Sequence, residues 1–351
     1  MTWYLELGMK LVMSTIITGI KANSDLHLGN YFGAIMPFVS MTKRVTQTDD
    51  LYIFVPDLHS FTIPIDHFAF YQKIQNNIRL YLACGVEAQK SNVHIFRQSH
   101  VSAHSELAWI LSCFSSVGEI SGQIQFKEKA KAQESASVGL FTYPLLMAAD
   151  ILLYGAEYVP LGADQQQHLE LCRDVATRMN HRFGQDLFVL PKKWSDQLNY
   201  FGTEQPVKIR SLSTPDKKMS KSENDPKGTI TLFDTPKDAI KKIMSANTDS
   251  FENIRWDWEN QPGITNLLQL DMLFSGKTIE QTKKTWEGQT QYGALKKSVA
   301  SGAELFLIDI QEKLENISQT QIDQILDKGE LSANIKSKQT LNHIHLVLGL
   351  K

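Results

Sequence analysis

This chain of 351 residues contains few cysteines and has a formal net charge close to zero, and each of these features excludes some classes of protein. The 3 cysteines, Cys84, Cys113 and Cys172, are scattered and show no metal-ligand spacing, which favours a reducing cytosol over a disulfide-built secreted domain. The formal net charge of -2 gives no overall sign of nucleic-acid binding. Any contact with RNA must therefore come from local basic patches.

Long hydrophobic runs and glycine-rich nucleotide fingerprints are missing as well. No apolar run is long enough to span a bilayer, and residues 1–13 lack the basic region and cleavage site of a signal peptide. We interpret residues 1–13 as an N-terminal extension that carries no chemistry. The absence of a G-x-G-x-x-G motif disfavours a dinucleotide fold of the usual kind. The composition is that of a soluble globular protein with one large domain or two ordinary ones.

The most informative stretch that the chain does contain is the segment 208–228, KIRSLSTPDKKMSKSENDPKG. Lys218 and Lys221 stand three residues apart with Ser220 between them, among turn-forming residues that predict a mobile loop rather than a helix. Ammonium groups and hydroxyl donors in such a loop suit a phosphate chain whose charge grows during a reaction. A solvated basic turn is the alternative that the lysine pair by itself leaves open.

Apolar strands alternate with helical segments through the first half of the chain. The β-branched and aromatic runs predict strands at residues 14–20, 51–56, 92–96 and 156–162. Helices are predicted over residues 66–84, 103–115 and 118–132. His27, Gly29 and Asn30 follow the first strand and His59 follows the second, at the sheet edge where ligands bind in open parallel sheets. An ordinary βα turn and a structural histidine are the alternatives.

Residues 138–153, VGLFTYPLLMAADILL, predict a helix that is interrupted near Pro144. Met147 and Asp150 are three residues apart and therefore share one face of this helix. Asp150 is a carboxylate within an otherwise apolar run, and an unpaired buried ion is costly, so Asp150 requires a hydrogen-bond donor. The donor is either a backbone or arginine group of the fold or a group on a ligand.

The second half of the chain is predicted to be mainly helical. Asp164 is well placed as the N-cap of a helix that runs to about residue 180. The pattern TPKD, which begins at Thr235, resembles a capping box with proline at the first helical position, and residues 263–350 have a helical period. We therefore divide the chain into the N-terminal extension 1–13, an α/β domain 14–235 and a helical region 236–351.

Four motifs together resemble those of the class I aminoacyl-tRNA synthetases, and within that class the bacterial type of tryptophanyl-tRNA synthetase, over residues 14–350. KMSKS matches the second class I signature letter for letter, and HLGN at residues 27–30 is similar to the first signature. YPLLMAADILL and GADQQQHLELCRD resemble the family segments that line the amino-acid pocket and contact ATP. The resemblance implies a Rossmann-like parallel sheet of the class I synthetase type, with a helical anticodon-binding region at residues 236–351.

The resemblance also implies roles for individual residues. Asp150 would accept the indole N–H of tryptophan, and Met147 would pack against the ring. Tyr143 would hold the ammonium group, while Gln165 and His59 would complete the amino-acid pocket. The residues with an implied catalytic role are Lys218, Lys221, His27 and, from a QFKEK segment, Lys129. The residues expected to contact ATP are Lys21, Ala22, Asn23, Gly29, Asn30, Gly162, Ala163, Asp164, Ile209, Lys218, Met219, Ser220, Lys221 and Ser222.

This sequence departs from the family pattern at three places. The loop of residues 21–25 lacks the proline and glycine that are usual there, and Lys21 adds a charge near the expected phosphates. Ile17 replaces an aromatic residue that often flanks the indole. Ala163 replaces a frequent glutamate, which leaves a backbone contact with ATP.

The activity implied by the resemblance has two steps. Tryptophan reacts with ATP, with Mg²⁺ on the pyrophosphate portion, to give tryptophanyl-adenylate, and the acyl group then passes to tRNA(Trp). The same resemblance implies a cytoplasmic homodimer. The alternatives are a tyrosyl-tRNA synthetase, a non-catalytic RNA-binding paralogue, and a nucleotidyltransferase of the same superfamily that does not use tRNA.

Overall fold

A three-stranded parallel sheet forms the centre of the protein. The computed structural model describes residues 14–20, 26–123, 136–201, 207–220 and 225–351. Within these residues the strands, in spatial order, are β1 (Thr15–Gly19), β2 (Asp50–Val55) and β3 (Val93–Arg97). The strand ends differ from the predicted ones by one residue, and the predicted Rossmann-like parallel sheet is confirmed.

Both faces of this sheet are buried. Successive side chains of a strand point to opposite sides, so each strand contributes to the apolar clusters on both faces. Ile16, Ile53 and Ile95 belong to one apolar cluster, while Ile17 and Phe96 belong to a second cluster on the other face. Ile16 lies beside Leu51, and Ile53 lies beside Ile95 in the ladder. Burial on both faces explains why the strands are continuous apolar runs rather than alternating ones.

Helices surround the sheet, and most of the second half of the chain is helical. A first helical segment contains α1 (Leu28–Asn30), a π-helical turn (Tyr31–Ile35) and α2 (Met36–Arg44). The other helices before residue 202 are α3 (Asp57–Ser60), α4 (His67–Ala83), α5 (Ala103–Cys113), α6 (Val117–Ser121), α7 (Val138–Leu152), α8 (Gln166–Phe183) and α9 (Trp194–Phe201). The remaining described helices are α10 (Pro236–Met244), α11 (Pro262–Ser275), α12 (Ile279–Trp286), α13 (Tyr292–Glu315) and α14 (Gln319–Leu348).

The helix predicted over residues 118–132 is represented by α6, and residues 124–135 lie outside the described part of the chain. The described helices include none that is long and apolar enough to cross a membrane.

The strand predicted at residues 156–162 is wrong in extent. Only Tyr158 pairs with the sheet, through a single parallel bridge to Ile16. In a parallel ladder the next N–H to face β1 would be that of residue 160, but Pro160 has no N–H. The N–H of Val159 faces away from β1 and donates to the side-chain oxygen of Gln197 at 2.9 Å. The ring of Tyr158 stacks on Tyr200 with the two centroids 3.7 Å apart. The strand therefore stops before Pro160, and helix α9 packs against the residues at its end.

The interruption predicted at Pro144 is also wrong, because α7 continues through this residue as one helix. Proline lacks an N–H, so the turn before it loses one helical hydrogen bond. Helix α7 packs between α5 and α8, and it buries Leu140, Leu145 and Ala148 completely. Burial of this apolar surface outweighs the single lost hydrogen bond.

The last helix, α14, covers the edge strand β3. Gly329 lies so close to the strand that an added Cβ would stand 1.9 Å from the carbonyl oxygen of Ile95. Beside this contact, Nε of Arg97 at the end of β3 donates to Oε1 of Glu330 at 2.6 Å. The helix therefore closes an edge that would otherwise expose unpaired backbone groups. The predicted division of the chain at residue 235 remains a prediction, although α14 packs on the sheet of the first part.

We expect Gly329→Ala to lower the free energy of unfolding by about 1–3 kcal/mol or more, because its methyl group meets backbone that has no room to move. The matched control is Gly293→Ala in α13, where an added Cβ has no neighbour within 4 Å. Alanine is the better helix former, so this control should be neutral or stabilising by up to about 1 kcal/mol. Urea denaturation of both variants measures the difference, and equal effects would show that Gly329 is not required for close packing.

Candidate active site

The HLGN turn lies at the carboxyl end of β1 and is held by a distant segment of the chain. The backbone N–H of Leu28 donates to the carbonyl of Ile230 at 3.0 Å, and that of Leu232 donates to Leu26 at 3.0 Å. An added Cβ at Gly29 would stand 3.0 Å from the His27 imidazole and 3.7 Å from Cβ of Met219. Gly29 thus allows His27 and the KMSKS segment to approach the same backbone.

Asn30 shapes this turn from within. Its side-chain oxygen accepts the backbone N–H of His27 at 3.2 Å. The His27 side chain is buried, with 7% of its surface exposed. The structure therefore gives Asn30 a local structural role and brings His27 and Gly29 together beside Met219; their contacts with ATP remain predictions.

The described part of the KMSKS segment is the second arm of a short β-hairpin. The N–H of Met219 donates to the carbonyl of Ile209 at 3.0 Å, and the N–H of Ser211 donates to Lys217 at 2.9 Å. These bonds place Arg210 opposite Lys218. The Lys218 side chain is exposed, whereas Met219 is buried. The prediction that this segment is not helical is confirmed for the described residues.

Neighbouring elements fix the ends of the hairpin arms. The side chain of Ile209 is fully buried, so a contact with adenine would have to come from its backbone. The carbonyl of Ser220 accepts the hydroxyl of Thr229 at 2.9 Å. The expected site residues outside the described part of the chain are Lys21, Ala22, Asn23, Lys129, Lys221 and Ser222.

Asp150 is fully buried and accepts three hydrogen bonds from other side chains. Its Oδ1 receives Nε2 of Gln98 at 2.7 Å and Nδ1 of His104 at 2.6 Å. Its Oδ2 receives Nε2 of His59 at 2.8 Å. The fold therefore supplies donors to Asp150, but they are two histidines and a glutamine instead of the backbone or arginine group named as one alternative.

The protonation states follow from this arrangement. Burial opposes the charge on Asp150, but the hydrogen bonds from His104 and His59 outweigh it and lower the pKa of the carboxyl group to about 2. An ionised carboxylate only accepts, so His59 and His104 both donate to it. Nε2 of His104 lies 2.9 Å from the hydroxyl of Tyr154, whose pKa burial raises well above its usual value. Tyr154 therefore stays neutral, and its hydroxyl can donate to Nε2 of His104.

A carboxylate has about four lone-pair positions, and the described donors fill three of them. Both positions on Oδ1 are used, and one position remains on Oδ2 beside His59. His59 is the one of the three donors with a side chain in contact with solvent, at 19% exposure. The remaining acceptor position therefore lies on the same carboxylate oxygen as the partly exposed donor.

Tyr143 is the start of a second buried hydrogen-bond chain on α7. Its hydroxyl lies 2.7 Å from Nε2 of His168, and Nδ1 of His168 lies 2.8 Å from the side-chain oxygen of Gln123. Because an amide oxygen only accepts, Nδ1 of His168 donates to Gln123 and Nε2 accepts from Tyr143. Burial, and then the nearby charge of Asp164, raise the pKa of Tyr143 to about 12, so its hydroxyl stays protonated.

The hydrogen-bond network around Asp150 and the one that begins at Tyr143 meet at His59. The rings of His59 and Tyr143 stand edge to face, with their centroids 6.3 Å apart. Met147 is half-buried on the same helix as Tyr143 and Asp150. The structure thus brings Asp150, Tyr143, Met147 and His59 into one region, as the sequence predicted. Reasoning from sequence missed Gln98, His104, Gln123 and His168; Gln98, which follows β3 directly, could have been found by the sheet-edge rule applied to β1 and β2.

The GADQ segment forms an exposed turn before α8. Gly162, Ala163 and Asp164 are exposed, and Ala163–Gln165 is a short 3₁₀ helix. The carboxylate of Asp164 accepts the side-chain amide of Gln165 at 2.7 Å. The predicted N-cap role of Asp164 is wrong, because α8 begins one residue later with Gln165 at its N-cap and no side-chain cap. A contact between Asp164 and a ligand remains a prediction.

Comparison with known proteins decides the family. The family model described as tRNA synthetases class I (W and Y) matches residues 11–307. The chain belongs to this family of class I tRNA synthetases. The resemblance inferred from KMSKS, HLGN and the two pocket segments is therefore confirmed.

Curated members of this family that carry tryptophan in their names match nearly the whole chain. The tryptophan–tRNA ligase of Caldanaerobacter subterraneus subsp. tengcongensis is 44% identical over 338 residues, which are 96% of this chain and 99% of that protein. The tryptophan–tRNA ligase of Bacillus anthracis is 40% identical over 339 residues, covering 96% and 98% of the two chains.

Solved structures of the family agree. The tryptophanyl-tRNA synthetase of Campylobacter jejuni, solved with ADP and tryptophan, is 30% identical with a TM-score of 0.79, and the match covers 95% of this chain and 99% of that one. The enzyme of Mycoplasma pneumoniae is 33% identical with a TM-score of 0.77, and the match covers 97% and 98%. The fold and the length of the chain are therefore those of this synthetase family.

We expect the buried carboxylate of Asp150 to stabilise the folded protein by about 2 kcal/mol above pH 4. Its pKa is 3.8 in the unfolded reference state and about 2 in the folded protein, so the unfolded chain takes up the proton first as the pH falls. The stabilisation is complete above the unfolded pKa and is lost as the pH falls through the folded pKa.

The measurement is urea unfolding of the wild type and of Asp150→Asn between pH 5 and pH 3. About half of the contribution, roughly 1 kcal/mol, should disappear from the difference between the two proteins over this range. Two curves that stay parallel over the same range would contradict the assignment of a lowered pKa to Asp150.

Proposed function

We propose that this chain is a tryptophan–tRNA ligase, which activates L-tryptophan with ATP and transfers it to tRNA(Trp). The observation that carries the proposal is the buried Asp150 carboxylate, on which the described donors leave one acceptor position at Oδ2. The names of the curated relatives support the same conclusion and favour tryptophan over tyrosine.

Recognition of the indole ring needs an acceptor and apolar surroundings, since indole has one N–H donor and no acceptor. The protein already contains this pairing elsewhere: Nε1 of Trp286 donates to Oδ2 of the buried Asp271 at 2.9 Å. In our proposal Oδ2 of Asp150 accepts the substrate indole in the same way. Met147 packs against the ring, as a polarizable thioether does with aromatic groups.

The amino-acid end of the substrate is oriented by Tyr143 and Gln165. The hydroxyl proton of Tyr143 is directed at His168, so its oxygen offers an acceptor to an ammonium group. His168 and Gln123 fix the direction of that proton. His59 donates to Asp150 and stands beside Tyr143, so it borders both the indole position and the ammonium position.

The first chemical step is attack of the tryptophan carboxylate on the α-phosphate of ATP, which releases pyrophosphate. A carboxylate is already ionised at neutral pH, so this step needs no general base, and catalysis consists of positioning and charge stabilisation. Lys218 and Lys221 neutralise the growing phosphate charge, together with the hydroxyls of Ser220 and Ser222. His27 and Gly29 hold ATP from the opposite side.

The other contacts with ATP come from the family resemblance and remain part of the proposal. Gly162 and Asp164 bind the ribose, the backbone of Ala163 and Ile209 lies by the nucleotide, and the residues with an expected but undescribed contact are Lys21, Ala22, Asn23 and Lys129. No described group of three or more His, Cys, Asp or Glu side chains could hold a metal ion. Mg²⁺ would therefore be held mainly by the phosphates of ATP, where it would offset their negative charge.

In the second step the acyl group passes to the 3′-terminal ribose of the tRNA. The helical region 236–351 binds the anticodon part of tRNA(Trp) in this proposal. We further propose that the enzyme acts as a homodimer in the cytoplasm, by resemblance to its family.

The test is amino-acid-dependent ATP–pyrophosphate exchange, with tryptophan compared with tyrosine. Exchange with tryptophan alone supports the adenylate step and the Asp150 pocket together. Exchange with tyrosine would instead support a tyrosyl enzyme, whose phenol could also donate to Asp150. No exchange with either amino acid, in a folded protein, would support a non-catalytic paralogue.

We expect Asp150→Ala to lose its preference for tryptophan over other aromatic amino acids by about 1–3 kcal/mol, because the indole N–H is left unpaired. The measured quantity is the ratio of kcat/KM for tryptophan to that for phenylalanine in pyrophosphate exchange. The matched control is Asp271→Ala, which removes another buried aspartate that pairs with an indole N–H but lies outside the site. Full preference in Asp150→Ala would show that another group recognises the indole.

A further inference from the structure

The hairpin that carries Lys218 depends on a buried asparagine far along the chain. The Oδ1 atom of Asn266 in α11 accepts the backbone N–H of Arg210 at 2.9 Å, and its Nδ2 atom donates to the backbone carbonyl of Arg210 at 3.0 Å. The Asn266 side chain is 1% exposed. A single side chain therefore satisfies both backbone polar groups of the residue opposite Lys218.

The ladder geometry explains why this contact is needed. Cross-strand hydrogen bonds join Met219 to Ile209 and Ser211 to Lys217, so Arg210 and Lys218 form the intervening pair without bonds to each other. The backbone N–H and carbonyl of Arg210 consequently point to the outer edge of the hairpin. The amide of Asn266 takes the place that a neighbouring strand would fill.

A second contact from the same helix follows the same edge. Nε2 of Gln269 lies one turn after Asn266 and donates to the carbonyl of Lys208 at 3.3 Å. Lys208 and Arg210 are two residues apart and therefore share the outer edge of the arm. Helix α11 thus holds the first arm of the hairpin at two points.

The side chain of Arg210 joins this arm to the hairpin turn. Its NH1 group donates to the carbonyl of Asp216 at 3.0 Å, and its guanidinium lies over the ring of Trp258 at 5.1 Å from the centroid. The register of the second arm, and hence the position of Lys218, follows from the register of the first arm. Met219 in turn lies against Gly29 of the HLGN turn.

We propose that Asn266 is a positioning residue for adenylate formation, which holds the backbone of Arg210 and thereby sets the place of Lys218 against the phosphates of ATP. This inference rests on the proposed function, because it takes Lys218 to act on those phosphates. A displacement of about 1 Å in a catalytic group can reduce the rate about 100-fold, so a contact outside the site can control the step.

The experiment compares Asn266→Ala with the matched control Asp271→Ala. Both residues are buried and polar and lie in α11, but Asp271 bonds to Trp286 and Ser298 instead of the hairpin. We expect Asn266→Ala to lower kcat of tryptophan-dependent pyrophosphate exchange about 10–100-fold, with KM for tryptophan changed by less than about twofold. The control should keep the wild-type kcat at a temperature well below the melting temperatures of both variants.

A second measurement follows transfer of the acyl group from chemically prepared tryptophanyl-adenylate to tRNA. It distinguishes a change in the position of Lys218 from general damage to the fold. The pyrophosphate portion, whose charge Lys218 offsets in the proposal, has already left at this stage and only the α-phosphate remains, so Asn266→Ala should transfer at close to the wild-type rate. Gln269→Leu removes only one contact to the arm, and we expect it to fold normally and to lower kcat of exchange by about threefold. An equal loss in both steps, or no greater loss than in Asp271→Ala, would overturn the proposal.

Hydrogen exchange of the peptide that contains Arg210 and Met219 gives a readout that does not depend on activity. Asn266→Ala should exchange these amides about tenfold faster than the wild type, and Asp271→Ala should not. Unchanged exchange in Asn266→Ala would overturn the proposed hold on the hairpin. Absence of tryptophan-dependent exchange of pyrophosphate in the wild type would overturn the proposed function instead, so the two failures are distinguishable.

Discussion

A buried charge is the constraint on which the proposed amino-acid pocket depends. Asp150 is ionised and fully enclosed, so the fold must bring donors to it. These donors come from three separate elements: His59 follows β2, Gln98 follows β3, and His104 lies in the first turn of α5. The carboxylate thus ties the carboxyl ends of two strands to α7. A pocket built on such a network is already organised before a substrate enters.

The part of the site proposed to bind ATP is assembled in a different way, mainly through hydrogen bonds to backbone groups. The HLGN turn pairs with residues 230–232, and the first arm of the KMSKS hairpin is held by Asn266 of α11. Backbone pairing fixes the place of a segment while leaving an exposed side chain such as Lys218 able to move. Under the proposed function this mobility would let Lys218 follow the phosphate charge as it develops, in contrast to the rigid surroundings of Asp150.

Local patterns explain most of what could be predicted. The three strands were found to within one residue because apolar β-branched runs, such as TIITG, depend on neighbours along the chain. The failures have different causes. The strand predicted at residues 156–162 stops before Pro160, which has no N–H for the ladder, and Asp164 bonds to its neighbour Gln165 instead of capping α8. Only at Pro144 does a tertiary contact outweigh a local preference, because α7 continues where α5 and α8 cover it.

The parallel α/β core, the synthetase family and the need of Asp150 for hydrogen-bond donors could be predicted from the chain alone, because each of these follows from short motifs or from the cost of burying a charge. Which donors meet that need depends on the packing of the folded chain. Asp150 is separated from His104 by 46 residues and from His59 by 91, and Asn266 is separated from Arg210 by 56. Contacts across such separations depend on how strands and helices pack in space, and no local pattern in the chain encodes them.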